Sequence, residues 1–428
     1  MNHSSLCNWI DVKLNINKRL KQVATLYVLF FMVAVRKHSL QEAAVFSNSS
    51  KSHFSRFLKD HSALSVAKLG ELSKRQAKQF GNTIRFLAEG KLPWRIAIII
   101  DATLQKRSSL HAENVKRFNH GKGFVIGHQW TNIVLFFNDV LIPLPPIPFY
   151  TKAYCRKNKM GYKTEHQNIL EYLKNLNLAD YVGPHDPKHV VVLADSGYDD
   201  KDIECLAARK QWNFIVTLKK TRSVKTEREN ADTVKSKDWV KVEELFKRHR
   251  RIKWTTVFLP KNSPSKKRTE FRVRQITGYL RDVGKAQLIC SEFKRKPKGR
   301  LKYLASNDLK ATPRQILLGY RIRWEIEIFH KKIKMFMGFE DVAAKYFKSV
   351  ISHVHWVYCA YILLNCHPPG LPEEVKSMAD KQELIKQALQ RKHVSRIRQM
   401  LTRINGIESF KIELQKALEG TITCRSVI

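Results

Sequence analysis

Tyr320, Arg323, Glu327 and Lys334 stand at fixed spacing within YRIRWEIEIFHKKIKMFMGFED, residues 320–341. The apolar residues Ile322, Ile326, Phe329, Ile333 and Phe336 recur at the period of a helix laid against a core. At about 100° per residue, the four polar residues share a second stripe beside the apolar one. Glu325 points almost oppositely to Glu327, so only Glu327 belongs to that stripe. Taken alone, the segment fits an ordinary surface stripe equally well, supported by an i,i+4 pair of Glu327 with Lys331.

Two further acids end apolar runs: Asp101 follows IAIII and Asp195 follows VVVLA. Singly, such residues are usually turn formers or helix caps. Together, adjacent strands of one sheet would bring them to one edge, where loops carry chemistry. Glu327, on a helix packed against that edge, would complete a hard oxygen-ligand site. Three carboxylates in a basic chain suit two Mg²⁺ or Mn²⁺ ions, one activating water or a DNA 3′-hydroxyl and one stabilising the leaving oxygen of a phosphodiester. Arg323 and Lys334 would hold the phosphate of the strand being handled. Tyr320 would pack against a sugar or base, or donate to a phosphate. Asp199 and Asp200 compete for the role of Asp195, but past the turn at Gly197 they are expected on the surface.

The composition points to the same partner. Lys and Arg total 78 against 38 acids, a formal net charge of +40 over 428 residues. Such an excess opposes compactness unless a polyanion neutralises it, and DNA is the obvious one. The seven Cys are scattered without a CxxC pair, which fits reduced thiols in a cytosolic protein. His353, His355, Cys359, Cys366 and His367 match no familiar zinc spacing and read as part of a buried helix. The apolar run VATLYVLFFMVAV, 23–35, is too short to span a bilayer and reads as a buried helix.

Several elements must position these residues. Ser39 with Glu42 forms a capping-box signature opening a short helix to about Phe46, and a second short helix follows the polar run Ser47–Ser50. The pair resembles a helix-turn-helix, with Lys51, His53, Arg56 and Lys59 outward; a plain helical hairpin is the alternative. WRIAIIID (94–101) reads as a buried strand. Residues 123–150 read as a long strand, an Asn138-Asp139 turn and a returning strand broken by prolines. A helix (165–178), a strand (189–200), a helix (about 200–210) and a strand (213–218) follow. This order predicts an α/β, ribonuclease-H-like domain. Residues 219–302 hold 27 Lys/Arg against 9 Asp/Glu and carry alternating apolar residues, predicting a basic β-rich insertion.

With these residues in place, the chain resembles a DDE transposase of the type-4 insertion-sequence superfamily. The family signature, Tyr-x2-Arg-x3-Glu-x6-Lys, is complete as Tyr320, Arg323, Glu327 and Lys334, downstream of Asp101 in DATL and Asp195 in ADSGYD. The resemblance covers about 94–365 and is weaker outside it. It implies that Asp101, Asp195 and Glu327 are the catalytic metal ligands, and that Arg323, Lys334 and Tyr320 act on phosphates near the transposon end. It further implies DNA as partner (terminal inverted repeats and target), a homodimer in the synaptic complex, and a cytoplasmic, nucleoid-associated protein. Family members can use a hairpin intermediate with a flipped base stacked on an insertion aromatic, for which Trp239 and Trp254 are available. The expected organisation is a helical DNA-binding region (1–90), a catalytic domain in two parts (91–220 and 303–365) around an insertion (221–302), and a basic helical C-terminal region (366–428). A ribonuclease-H-like nuclease without strand transfer, or an inactive transposase-derived DNA binder, are the competing readings.

Overall fold

The computed structural model describes residues 3–403 except 82, 109, 122, 227–238, 261–268 and 294–300. The chain begins with α1 (His3–Leu14), α2 (Lys18–Phe31), α3 (Leu40–Phe46), α4 (Lys51–Asp60) and α5 (Ser62–Phe80). The apolar run at 23–35 lies in and just after α2 and is buried from Val23 to Val33 except for the half-buried Leu26. No described helix is long and apolar enough to cross a membrane. The Ser39 and Ser50 hydroxyls accept the N–H groups of Glu42 and His53, each at 3.2 Å, and so cap α3 and α4.

The sheet starts with β1 (Ile96–Lys106), β2 (Lys116–His120), β3 (Gly123–Phe137), β4 (Val140–Pro143) and β5 (Ile147–Pro148). Then come α6 (Lys152–Lys157), α7 (Glu165–Asn175), α8 (Ala179–Val182), β6 (Val190–Ala194), α9 (Lys201–Arg209) and β7 (Asn213–Leu218). β3 pairs antiparallel with β1, while β1, β6 and β7 run parallel. Their continuous apolar runs reflect burial on both faces. Ile98 and Ile100 enter one core, with α7 and α9. Ala97 and Ile99 enter the other, with the N-terminal helices. Asn138 and Asp139, both at positive φ (49° and 60°), turn β3 into β4.

The basic segment after β7 holds β8 (Ser223–Thr226), β9 (Val240–Lys241), α10 (Val242–Arg248), β10 (Thr255–Leu259), β11 (Thr269–Leu280) and β12 (Gly284–Phe293). β13 (Lys302–Ser306) follows and pairs with both β12 and β7, so the insertion extends the central sheet. The order is β2-β3-β1-β6-β7-β13-β12-β11-β8-β9 in one mixed sheet. This α/β architecture is consistent with a ribonuclease-H-like transposase domain.

The chain ends with α11 (Pro313–Ile322), α12 (Trp324–Phe336), α13 (Phe347–Asn365) and α14 (Met378–Arg403). The single helix expected across the signature is therefore two. At the joint, Arg323 N–H donates to Tyr320 O and Ile326 N–H to Arg323 O, i→i+3 bonds that tighten the turn. The N-terminal helices share their core with α13: the Phe57 ring stacks on Trp356 at 5.7 Å, and the Tyr27 hydroxyl meets His353 Nδ1 at 2.9 Å. His353 also bonds Gly338 O, and His355 bonds Ile351 O. These histidines are thus satisfied core residues.

Gly319 lets α11 approach the sheet closely. A Cβ there would lie 2.8 Å from side-chain atoms of both Trp94 and Ile215. Gly319→Val is expected to destabilise the fold by about 1–3 kcal/mol through overpacking, read by chemical denaturation. Unchanged stability would show that this contact is slack.

Candidate active site

The register places Asp101 and Asp195 side by side. Ile100 and Ala194 are paired on parallel β1 and β6, and each acid comes one residue later. Asp195 turns back as a cap, its Oδ1 accepting Gly197 N–H at 2.8 Å. Asp101 points into the cleft beneath α12. There Arg323 bridges two acids, with Nη1 3.4 Å from Asp101 Oδ2 and Nη2 3.3 Å from Glu327 Oε1. The joint between α11 and α12 thus aims the guanidinium of Arg323 at both carboxylates.

Burial pushes the Asp101 carboxyl up to about 7; Arg323 opposes the shift, and the nearby charges of Glu327 and Asp195 add to it. Burial works against the charge of Arg323, but Tyr320, Asp101 and Glu327 outweigh it and raise its pKa. Lys334 lies 3.9 Å from Glu340, and burial lowers its pKa against the pull of Glu340 and Glu327. The Tyr320 ring sits between two cations, 5.7 Å from Lys302 Nζ and 5.7 Å from the Arg323 guanidinium carbon. Glu325 lies elsewhere, raised by burial, with Lys332 and Asp139 as its charged neighbours.

His330, one turn beyond Glu327, was not singled out by the sequence reading. Ligand atoms of Asp101, Glu327 and His330 all lie within 4.8 Å of one another. Burial, with Lys334 and Arg323 adding, lowers the His330 pKa to about 3, so the ring is neutral. His330 Nε2 meets Asn132 Nδ2 at 2.8 Å, and Asn132 Oδ1 accepts the Tyr358 hydroxyl at 2.7 Å. This relay orients the ring toward the acids. The i,i+3 spacing from Glu327 was the available signal, hidden because a lone His in an apolar stripe reads as core. The carboxylate oxygens of Asp101 and Glu327 suit a divalent cation, whereas His330 accepts from Asn132 through Nε2 and so carries its proton on Nδ1.

Lys302, at the start of β13, also faces this edge: burial and Arg323 lower its pKa while Asp195 raises it. Beside it a cavity opens between the insertion and the joint of α11 with α12, lined by Phe271, Phe293, Lys302, Tyr320, Arg323 and Trp324. Neither Trp239 nor Trp254 lines it. Trp254 packs under Arg272 and Arg274, at 4.9 and 4.5 Å, and Trp239 under Lys225 at 5.2 Å.

Asp199 corrects an expectation: it is buried. Its Oδ2 accepts Lys219 N–H at 2.8 Å, and Arg222 Nη1 lies 3.3 Å from its Oδ1. Arg222 Nη2 is also 2.6 Å from Glu204 Oε2. The sequence hid this because Arg222, in a different element, supplies the compensating charge. Asp200 caps α9 and pairs with His166 Nδ1 at 2.6 Å.

Residues 161–363 match the family model of the transposase DDE domain. The match supports a DDE transposase family. It spans Asp195, the insertion and the whole Tyr-Arg-Glu-Lys signature, and it begins after β1. Asp101 joins the group through the geometry of the sheet. No curated protein matches the chain.

Proposed function

We propose that the chain is an insertion-sequence transposase of the type-4 superfamily. It binds terminal inverted repeats, cuts at them and joins the 3′-hydroxyls to target DNA. The observation that supports this most is the meeting of Asp101, Glu327 and Arg323 at the sheet edge that also bears Asp195, under the matched DDE region.

In this reading Asp101, Asp195 and Glu327 are the metal ligands, and His330 is a neutral neighbour held in place by Asn132. Two Mg²⁺ or Mn²⁺ ions, when bound, would activate the attacking oxygen and stabilise the leaving one. Arg323 bridges the two acids and, once released from them, offers its planar fork to a DNA phosphate. Lys334 and Lys302 flank the same path with positive charge. Tyr320 supplies an aromatic face between the cations, against which a sugar or base packs.

The outward face of α4 presents Lys51, His53 and Arg56, all exposed, while Phe54, Phe57 and Leu58 anchor the helix. It is the element we assign to end recognition, lying along a DNA groove. Two ends must be held together, which implies a homodimer in the DNA complex. A chain of this chemistry would work at the cytoplasmic nucleoid.

The test is a joining assay: pre-cut end duplexes from the gene's own flanking DNA, supercoiled plasmid and Mg²⁺. Covalent end–plasmid products are expected. Cutting without joining would make the protein a nuclease, and binding without either would make it a non-catalytic DNA binder.

A further inference from the structure

Beyond β6 and β7, one part of the sheet continues past the catalytic edge. β1 runs on from Asp101 to Lys106, which pairs with Gly127; farther out, β2 and β3 continue as a two-stranded ribbon closed by a turn at Gly121. At roughly 3.3 Å per residue, the outer end of this ribbon lies about 30 Å along the strands from Asp101. Its base is fixed: Arg107 Nη2 donates to Ala344 O at 2.6 Å, and His128 Nε2 meets Glu113 O at 2.9 Å.

The ribbon's composition is one-sided. Between Glu113 and Asp139 the sequence contains no acid, and the outer part pairs KRFNH with GFVIG. Lys116, Arg117 and Asn119 are exposed, and Phe124 is 53% exposed. Among the described residues, neither Lys116 nor Arg117 has an ion-pair partner. The Arg117 guanidinium lies 4.0 Å over the Phe124 ring, and Lys116 Nζ lies 5.5 and 5.1 Å from the Phe118 and Phe149 rings.

Basic residues on an edge strand also discourage strand addition. That role gives no reason to expose Phe124 or to hold Arg117 on its face. A second copy of a chain with net charge +40 is a poor occupant for an unneutralised basic ribbon. A two-stranded ribbon fits a DNA groove, and stacked arginines leave their N–H fork free for phosphate.

We propose that the β2–β3 ribbon is a DNA arm that grips the duplex about one helical turn from the phosphate being cut. This rests on the transposase reading, which places a duplex at the catalytic edge. The ribbon, like Asp101, lies outside the matched residues 161–363. A reach of about 30 Å corresponds to roughly nine base pairs at 3.4 Å each.

The test uses the full chain and a 40-bp duplex of the gene's flanking DNA, with affinity measured by fluorescence anisotropy across a salt series. Each phosphate contact that is lost should flatten the log K against log salt slope by about 0.9. Lys116→Gln/Arg117→Gln is therefore expected to flatten it by about 1.8. Lys188→Gln, exposed at the opposite edge beside the start of β6, should leave it unchanged. A 10-bp duplex centred on the cleavage point should abolish the difference between wild type and double variant. An unchanged slope in the double variant overturns the proposal, as does loss of dimerisation without a change in slope. If wild type cuts and joins while the ribbon variants keep the full slope, the arm falls and the transposase reading stands. If wild type neither cuts nor joins, the reading beneath the proposal falls as well.

Discussion

Glu327→Gln is expected to abolish DNA cleavage and joining, by at least about 1,000-fold, while DNA binding stays near wild type. Glutamine keeps the volume and one oxygen but removes the charge that a divalent ion needs. A loss of that size corresponds to roughly 4 kcal/mol of transition-state stabilisation. The fold should be unaffected, because the Glu327 side chain is 38% exposed and its partner Arg323 keeps Asp101 at 3.4 Å. Glu325→Gln is the control: its charged neighbours are Lys332 and Asp139, and it should retain full activity. Equal losses in the two variants would mean that the wrong acid of the pair had been chosen.

The second large effect lies behind the site. Arg222→Ala is expected to cost about 3–5 kcal/mol of stability, because it leaves two buried carboxyls without their cation. Asp199 and Glu204 are 1% and 0% exposed at their side chains, and Arg222 spans both. Arg222 begins the insertion, and Asp199 lies four residues past Asp195. The cluster therefore ties the acid-bearing turn to the extended sheet.

This cluster also sets a pH dependence. Burial raises the Glu204 carboxyl from 4.5 to about 8, outweighing Arg222, with Asp199 adding to the shift. Between those values the native state holds a proton that the unfolded chain has released. Its contribution to stability is therefore full below about pH 4.5 and is lost as pH rises through about 8. Glu204→Gln should flatten the fall in melting temperature between pH 6 and 9. A wild-type profile already flat across that window would contradict the raised Glu204 carboxyl.

The parts of the fold legible in the sequence were those whose signal is local. IAIII, VVVLA and NFIVTL are continuous apolar runs, as strands buried on both faces must be. Asn138-Asp139 marked a turn, and Ser39 and Ser50 marked helix starts. What escaped depends on partners remote in sequence. β2 reads KRFNH, with neither alternation nor an apolar run, and it is a strand because β3 offers it an edge. The insertion read as a unit of its own, yet β13 sews it to β7. The burial of Asp199 needed Arg222, and the role of His330 needed Asn132 on β3.

The candidate site divides in the same way. The stripe of Tyr320, Arg323, Glu327 and Lys334 followed from helical spacing, although the helix breaks at Arg323 and so turns that side chain onto Asp101. Asp195 was legible as a strand-end acid; Asp101 read as one too, but β1 continues to Lys106, and it is the parallel register that sets the two side by side. The cavity of Phe271, Phe293 and Trp324 was not legible, since it joins two strands of the insertion to a helix after it.

The most direct test of the central claim, that Asp101, Asp195 and Glu327 hold a divalent ion together, is iron-directed backbone cleavage. Fe²⁺ takes the place of Mg²⁺, and with ascorbate and peroxide it cuts the chain beside its binding site. Cuts are expected near residues 101, 195 and 327, suppressed by excess Mg²⁺ and absent in Glu327→Gln. Cuts that Mg²⁺ does not suppress, or a pattern that omits any of the three positions, would contradict it.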